Sequence, residues 1–115
     1  MAFRKEKINS LLKNIVGSFL KTNIIPGTLV TITQVEISRG LRYAKIFLNI
    51  FPEEKEDYVL KLLKNKAGEL RNYVKPRLKM KFLPHFEIEI DKGEKARQRM
   101  EEVLSKHPDI KTDTV

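Results

Sequence analysis

Hydrophobic residues recur every three or four positions near the start of the chain. Between Lys5 and Lys21 they are Ile8, Leu11, Leu12, Ile15, Val16, Phe19 and Leu20. This spacing places them along one side of an α-helix. The sequence therefore predicts an amphipathic first helix whose apolar side covers a core, and Pro26-Gly27 predicts a turn after it.

Two strands are predicted next. Residues Thr28 to Ile37 are rich in Val, Ile and Thr, but their hydrophobic residues change face halfway along, so we expect a bulge near Thr33-Gln34. Residues Tyr43 to Ile50 alternate regularly, with a hydrophobic face that the first helix can cover. Ser38-Arg39-Gly40 predicts a hairpin turn in which Gly40 adopts a positive φ.

The second half of the chain predicts helices and one further strand. Pro52-Glu53-Glu54 is typical of a helix start. The pattern weakens at Ala67-Gly68, which predicts a kink or break between helices 2 and 3, and Pro76 should kink or end helix 3. Residues Phe86 to Ile90 alternate like a strand, and Gly93 to Lys106 predicts a short last helix.

The predicted order is α-β-β-α-α-β-α, which favours an α+β two-layer domain with helices on one face of a three-stranded sheet. Without its last helix, this is the order of a type II KH domain, a nucleic-acid-binding architecture. The KH clamp normally contains Gly-x-x-Gly, whereas the junction of helices 2 and 3 reads Asn65-Lys66-Ala67-Gly68-Glu69. We therefore expect a KH-like domain over residues 1–107 in which a helix kink replaces that loop, followed by a flexible tail over residues 108–115.

Composition narrows the class of partner. The chain of 115 residues fits one domain, and its net charge of +8 favours a polyanionic partner. It has no cysteine, so disulfides and thiolate metal sites are excluded. Neither a secretory signal nor a membrane span is evident, so we expect a cytoplasmic protein without membrane contact. We further expect a monomer that uses no cofactor, metal or small-molecule substrate.

The positive charges are segregated. Between Lys61 and Lys81 a single acid, Glu69, opposes the cations. Clustered cations bind nucleic-acid backbone by releasing its counterions, although a solvated surface is the alternative interpretation. The candidate RNA-binding residues in and around this stretch are Lys61, Lys64, Lys66, Gly68, Arg71, Lys75, Arg77, Lys79 and Lys81. Lys5, Lys7 and Lys13 on helix 1 and Arg39 and Arg42 at the hairpin turn extend the predicted surface.

Other chemistry has weaker support in the sequence. Glu87, Glu89 and Asp91 could bind Mg²⁺, but carboxylates on an exposed strand are more often solvated. The chain has no Ser-His-Asp pattern or P-loop, so we do not expect an enzyme. Tyr43 and Phe47 could stack on bases, but the sequence favours their packing under the first strand.

Four segments resemble the ribosome-binding factor A family over about residues 3–106. They are Thr31 to Ser38, Leu41 to Ile46, Gly68 to Arg71 and Leu78 to Pro84. The family commonly has Ala-x-Gly at the kink, where this chain has Lys66-Ala67-Gly68, and an Asp where this chain has Gly40.

The resemblance implies a factor that binds free small (30S) ribosomal subunits and their 16S rRNA. It also implies a part in late rRNA maturation, including the 5′ end, without cleavage. Two alternatives stay open: a general single-stranded RNA-binding KH-like module, and a metal-dependent nuclease that uses the strand carboxylates.

Overall fold

The structure, a computed structural model, describes residues 2–93, with side chains from Lys5 onward. Within this part the chain forms a small α+β domain of three α-helices and a three-stranded sheet. The elements are α1 Ala2–Thr22, β1 Leu29–Ile37, a 3-10 turn Arg39–Leu41, β2 Tyr43–Phe51, a 3-10 turn Glu53–Lys55, α2 Glu56–Asn65, α3 Ala67–Leu78 and β3 His85–Ile90. The predicted last helix beyond Gly93 and the predicted tail over residues 108–115 lie outside the described residues.

The sheet has the order β1-β2-β3, with β1 antiparallel to β2 and β2 parallel to β3. The helices α2 and α3 form the long crossover that a parallel connection needs. At one end of the sheet Ile37 pairs with Ala44, and Ala44 pairs with Phe86. We call this the hairpin end, because β1 ends and β2 and β3 both begin there.

The bulge that was predicted in β1 is present. Ile32 pairs with Leu48, and Gln34 pairs with the next residue, Phe47, so Thr33 is the additional residue. One additional residue reverses the alternation of side chains. As a result Val30 and Ile32 before Thr33 and Val35 and Ile37 after it all contact the core, while Leu29 at the start of the strand is exposed.

The core lies between the sheet and the helices. Alternate residues of β2 are buried, as predicted. Val16 and Phe19 of α1 lie in the same core cluster as Ile46 and Leu48 of β2, whereas Leu11 of the predicted apolar side is 42% exposed. The buried hydrophobic residues are Ile8, Leu12, Val16, Phe19, Val35, Ile37, Ala44, Ile46, Leu48, Ile50, Val59, Leu63, Leu70, Val74, Leu78, Phe86 and Ile88. The helices therefore lie on one face of the sheet, which leaves the side chains of the other face toward solvent in the described part of the chain.

The predicted break between helices 2 and 3 is confirmed at Lys66, where φ is −92° and ψ is 12°. The Lys66 N–H donates to the carbonyls of Leu62 and Leu63, which ends α2. Gly68 is the second residue of α3, and a Cβ built on it would meet no atom within 4 Å. Packing within the described residues therefore does not require a glycine at this position.

One helix boundary differs from the prediction, and a second lies close to it. Pro52 does not open an α-helix: a 3-10 turn at Glu53–Lys55 follows it, and α2 begins at Glu56. Such turns are common at helix starts because they satisfy terminal N–H groups locally. Pro76 lies inside α3, which ends two residues later at Leu78. A proline near the end of a helix removes one hydrogen bond, so the last few residues can stay helical.

Candidate nucleic-acid interface

Two segments without Asp or Glu meet at the hairpin end of the sheet. Residues 37–52 carry three Lys or Arg, and residues 70–86 carry five. The backbone N–H of His85 donates to the carbonyl of Arg42 at 2.8 Å, which holds the start of β3 beside the hairpin turn. The Tyr43 and His85 rings lie edge to face there, with centroids 5.9 Å apart. The fold thus joins two cationic segments that are distant in sequence.

The hairpin turn exposes both of its arginines. Gly40 has a φ of 82°, as predicted, and Leu41 has a φ of 60°. Leu41 packs against the core, whereas Arg39 and Arg42 are exposed on either side of it. Because Leu41 is the residue of this tight turn that packs inward, the nearby arginines remain on the surface. The turn therefore exposes two positive charges to solvent.

The segment between α3 and β3 exposes cations in the same way. We call residues 79–83 the cationic loop. Met80 and Leu83 pack against the core, and Leu78 and Pro84 on its two sides are buried. The loop residues that are exposed are Lys79, Lys81 and Phe82. The loop is therefore anchored by its apolar residues and carries its charge outward.

Arg71 fixes the end of this loop. Its Nη1 donates to the carbonyl of Pro84 at 2.8 Å, and its Cζ lies 5.6 Å from the centroid of the Phe86 ring. Arg71 is therefore partly engaged within the protein. Lys75 is four residues further along α3, so it shares this side of the helix, and it is exposed.

Arg77 lies on the other flank of α3, because six residues in a helix end about two-thirds of a turn from the starting direction. Its Nη1 donates to the carbonyl of Tyr73 at 2.8 Å, and its Cζ lies 3.7 Å from the centroid of the Tyr73 ring. The Tyr73 hydroxyl is hydrogen-bonded to the Ser18 hydroxyl on α1 at 2.6 Å. The predicted run of cations therefore does not form one continuous face.

The cations of α2 and the junction lie elsewhere. Lys66 is half-buried, and its Nζ donates to Asn23 Oδ1 at 3.3 Å. Lys64 lines a groove between the junction and β3, and Glu87 and Glu89 line the same groove. The exposed residue Lys61 is one helical turn before Lys64. Two carboxylates disfavour phosphate in this groove, because like charges repel.

The three lysines of α1 divide between two places. The contacts from Asn23 to Lys66 and from Ser18 to Tyr73 show that α1 and α3 run antiparallel. The first turns of α1, with the exposed residues Lys5 and Lys7, therefore lie toward the hairpin end. Lys13 instead lines a groove along the open edge of β1 with Gly17 and Val30, away from the cationic loop.

Two of the three strand carboxylates that could bind Mg²⁺, Glu89 and Asp91, contact other side chains. Asp91 accepts a hydrogen bond from the Thr33 hydroxyl at 2.6 Å, and Glu89 lies 4.0 Å from Lys45 Nζ. Within residues 2–93 no group of three or more His, Asp or Glu could hold a metal ion. Among these same residues, no helix is long and apolar enough to cross a membrane.

The exposed aromatic residues at the hairpin end were predicted only in part. Tyr43 was expected to pack under β1, which is wrong, because half of its surface is exposed and its ring contacts His85. Phe47 is half-buried. Phe82 was not considered as a contact residue, although it is 77% exposed. The absence of acids from residues 37–52 is readable in the sequence and could have pointed to this end of the sheet.

The chain is similar to known proteins over most of its length. The sequence model of the family described as ribosome-binding factor A matches residues 4–104. The ribosome-binding factor A of Clostridium perfringens (strain SM101) is 36% identical over 110 residues, which cover 90% of this chain and 94% of that protein. That of Protochlamydia amoebophila is 31% identical over 107 residues, which cover 90% and 82%.

Solved structures have the same fold. The crystal structure of ribosome-binding factor A from Thermus thermophilus superposes with a TM-score of 0.66 at 22% identity, over 75% of this chain and 94% of that one. A homology model of the Thermus thermophilus protein, fitted into a cryo-EM map of its complex with the 30S subunit, gives a TM-score of 0.65 at 21% identity, over 73% and 91%.

Proposed function

This chain belongs to the ribosome-binding factor A family, and from that premise we propose that it is a non-catalytic assembly factor of the small ribosomal subunit. It binds free 30S subunits through their 16S rRNA and assists late maturation of that rRNA, including its 5′ end, without cleaving it. The Thermus thermophilus relative that was fitted into a map of a 30S complex supports this choice of partner. On this proposal the protein acts in the cytoplasm as a monomer.

The observation that carries the proposal is the meeting of two acid-free cationic segments at the hairpin end of the sheet. RNA backbone is attracted to such a surface because bound cations release counterions from the phosphates. Arg39, Arg42, Lys79 and Lys81 are exposed there, and Lys75 is exposed on the adjoining side of α3. We assign phosphate contact to these residues, with Lys5 and Lys7 extending the surface.

The KH-like interpretation follows from the order of the described elements, which is α-β-β-α-α-β when the 3-10 turns are left out. A KH domain holds single-stranded RNA along its Gly-x-x-Gly loop. In this chain the corresponding junction is a helix break at Lys66, and the groove beside it contains Glu87 and Glu89. We therefore place the RNA at the turn and the cationic loop, outside the usual KH groove.

Lys79 supports a functional role for the loop. It occupies the position after α3 in the left-handed conformation, with a φ of 54° and a ψ of 41°. Glycine is the usual residue there, because a side chain makes this conformation less favourable by about 1–2 kcal/mol. A lysine at this position is an unfavourable choice for stability alone, which is expected where a residue is retained for binding.

Replacing Lys79 with glycine should therefore stabilise the protein and weaken subunit binding at the same time. We expect the free energy of unfolding to rise by about 0.5–1 kcal/mol, since glycine relieves the backbone strain but gains entropy when unfolded. The Kd for small subunits should rise by about threefold to tenfold, as one charged contact is lost. Urea unfolding and co-sedimentation measure the two effects.

The matched control for this prediction is Lys79→Ala, which removes the charge and keeps a side chain at the strained position. It should weaken binding as much as Lys79→Gly without the gain in stability. If Lys79→Gly unfolds at a lower urea concentration than the parent protein, the left-handed conformation does not carry the strain that we assign to it.

The proposed function is tested by co-sedimentation of the purified protein with free small subunits, large subunits and joined ribosomes at two salt concentrations. Binding restricted to free small subunits and weakened by salt is the expected result. Equal binding to every particle, or to an unstructured RNA as tightly as to small subunits, would favour a general single-stranded RNA-binding module. Trimming of precursor rRNA by the pure protein would contradict the non-catalytic role.

A further inference from the structure

Phe82 is an exposed aromatic residue within the anchored cationic loop. It is 77% exposed, while Met80 and Leu83 on either side of it pack against the core. The loop is therefore not detached from the protein, and Phe82 is the apolar residue that it turns outward. A single exposed hydrophobic residue is common in proteins, so the surroundings of Phe82 must decide what it contacts.

These surroundings are cationic and aromatic. Lys81 Nζ lies 5.7 Å from the centroid of the Phe82 ring, and Lys79 is exposed in the same loop. The loop leads into His85, whose ring lies against Tyr43 and whose backbone N–H binds the hairpin turn. Residues 37–44 and 79–86, which meet at this end of the sheet, contain no carboxylate side chain. In the sheet the nearest carboxylates are Glu36 and Glu87, which both pair with Lys45 one register position further along.

The combination fits a nucleotide better than a protein partner. A protein surface that covered Phe82 would also have to desolvate the adjacent lysines, and lysine is depleted at the centres of protein interfaces. A nucleotide of a flexible strand matches both features, since its base offers a flat π-face and its phosphates offer negative charge on each side. Aromatic side chains beside basic ones are how proteins hold single-stranded nucleic acid.

We propose that Phe82 is a stacking platform for an unpaired base of RNA, with Lys79 and Lys81 holding the flanking phosphates. The proposal rests on the function proposed above and names the kind of nucleotide that the rRNA would present, a base in a single strand or loop. A base within a duplex cannot use this site, because both of its faces are already stacked. The protein should thus bind single-stranded RNA more tightly than duplex RNA, and the difference should depend on Phe82.

The test compares Phe82 with Phe51, a matched control. Phe51 is also an exposed aromatic residue, 66% accessible, but it lies at the opposite end of β2 from Tyr43. The variants are Phe82→Leu, Phe82→Trp, Phe51→Leu and Phe51→Trp, each checked for folding by circular dichroism. The probes are a single-stranded RNA of about 12 nucleotides and a much longer duplex, in which few base pairs are terminal and almost every base is stacked on both faces.

Phe82→Leu should raise the Kd for single-stranded RNA by about tenfold, because leucine keeps the apolar contact and loses the stacking face. Phe51→Leu should bind as the parent protein does, and no variant should change binding to the duplex. The chain contains no tryptophan, so Phe82→Trp reports from this site alone. The tryptophan emission of Phe82→Trp should be quenched by single-stranded RNA and not by the duplex. The emission of Phe51→Trp should be quenched by neither RNA.

Unchanged binding of single-stranded RNA by Phe82→Leu, or equal quenching of Phe82→Trp by both probes, would overturn the stacking site. So would a loss that appears with small subunits and not with the single-stranded RNA, since Phe82 would then contact a protein or a folded RNA surface. The function proposed above is judged separately by co-sedimentation of the parent protein. The parent protein could bind small subunits while the Phe82 variants bind single-stranded RNA with the parent's affinity. That result would reject the stacking site and leave the proposed function standing.

Discussion

Replacing Arg42, Lys79 and Lys81 together with glutamate should raise the Kd for small subunits at least about 100-fold and leave the fold intact. Each exposed cation contributes about 1 kcal/mol or more through a charged contact, and reversal adds repulsion from the phosphates. The affinity should also depend less on salt. The slope of the logarithm of the binding constant against the logarithm of the salt concentration should become shallower by about 0.7–0.9 for each lost phosphate contact. Co-sedimentation at several salt concentrations gives both quantities.

The choice of residues follows from the tertiary contacts. Arg71 is left unchanged because it donates to the Pro84 carbonyl, so its replacement would disturb the loop as well as the charge. The matched control is a double reversal of Lys61 and Lys64, which are exposed on α2, where Lys64 shares a groove with Glu87 and Glu89. If the α2 variant loses as much affinity and as much salt dependence as the triple variant, the RNA binds along the junction of α2 and α3 and not at the hairpin end.

The second large effect concerns stability. Leu12→Ala should lower the free energy of unfolding by about 3 kcal/mol, since leucine-to-alanine changes in a core lose both apolar burial and packing. Leu12 is 0% exposed and is among the largest side chains that are fully enclosed. A domain of this size has a total stability of about 5–15 kcal/mol, so the loss would be visible as a large shift of the urea midpoint.

The neighbouring leucine provides the control. Leu11 is 42% exposed on the same helix, so Leu11→Ala makes the same chemical change with the same effect on helix propensity. We expect it to change the free energy of unfolding by about 0.5 kcal/mol or less. Similar losses in the two variants would mean that α1 does not lie with Leu12 inward. Ile15 is a poorer probe than Leu12, because it is only partly buried.

Local patterns in the sequence predicted the elements well, because each element follows from the direction of a few neighbouring side chains. The spacing of hydrophobic residues in α1, the change of face that required a bulge at Thr33 and the glycine of the hairpin turn are all confirmed. The error lies at a helix start, where a 3-10 turn follows Pro52 and α2 begins only at Glu56. The end of α3 lies two residues after Pro76, close to its predicted position.

The candidate site was predicted only in part. The sequence shows that positive charge dominates between Lys61 and Lys81, but not which of these side chains remain available to a partner. In the structure Arg77 stacks on Tyr73, Lys66 binds Asn23 and Arg71 anchors the loop. Two of these contacts join residues that are distant in sequence and meet only in the folded chain. The third joins residues one turn apart in α3.

What the sequence determined by itself is therefore the order of helices and strands within the described residues, the bulge, the core-facing side of α1 and the positive character of the protein. These properties depend on the order and spacing of neighbouring residues. The tertiary structure alone decided that the hairpin turn and the cationic loop lie together, because β3 pairs in parallel with β2 and so begins beside Arg42. It also decided that Phe82 faces outward between two inward residues, since the core accepts Met80 and Leu83 from that loop.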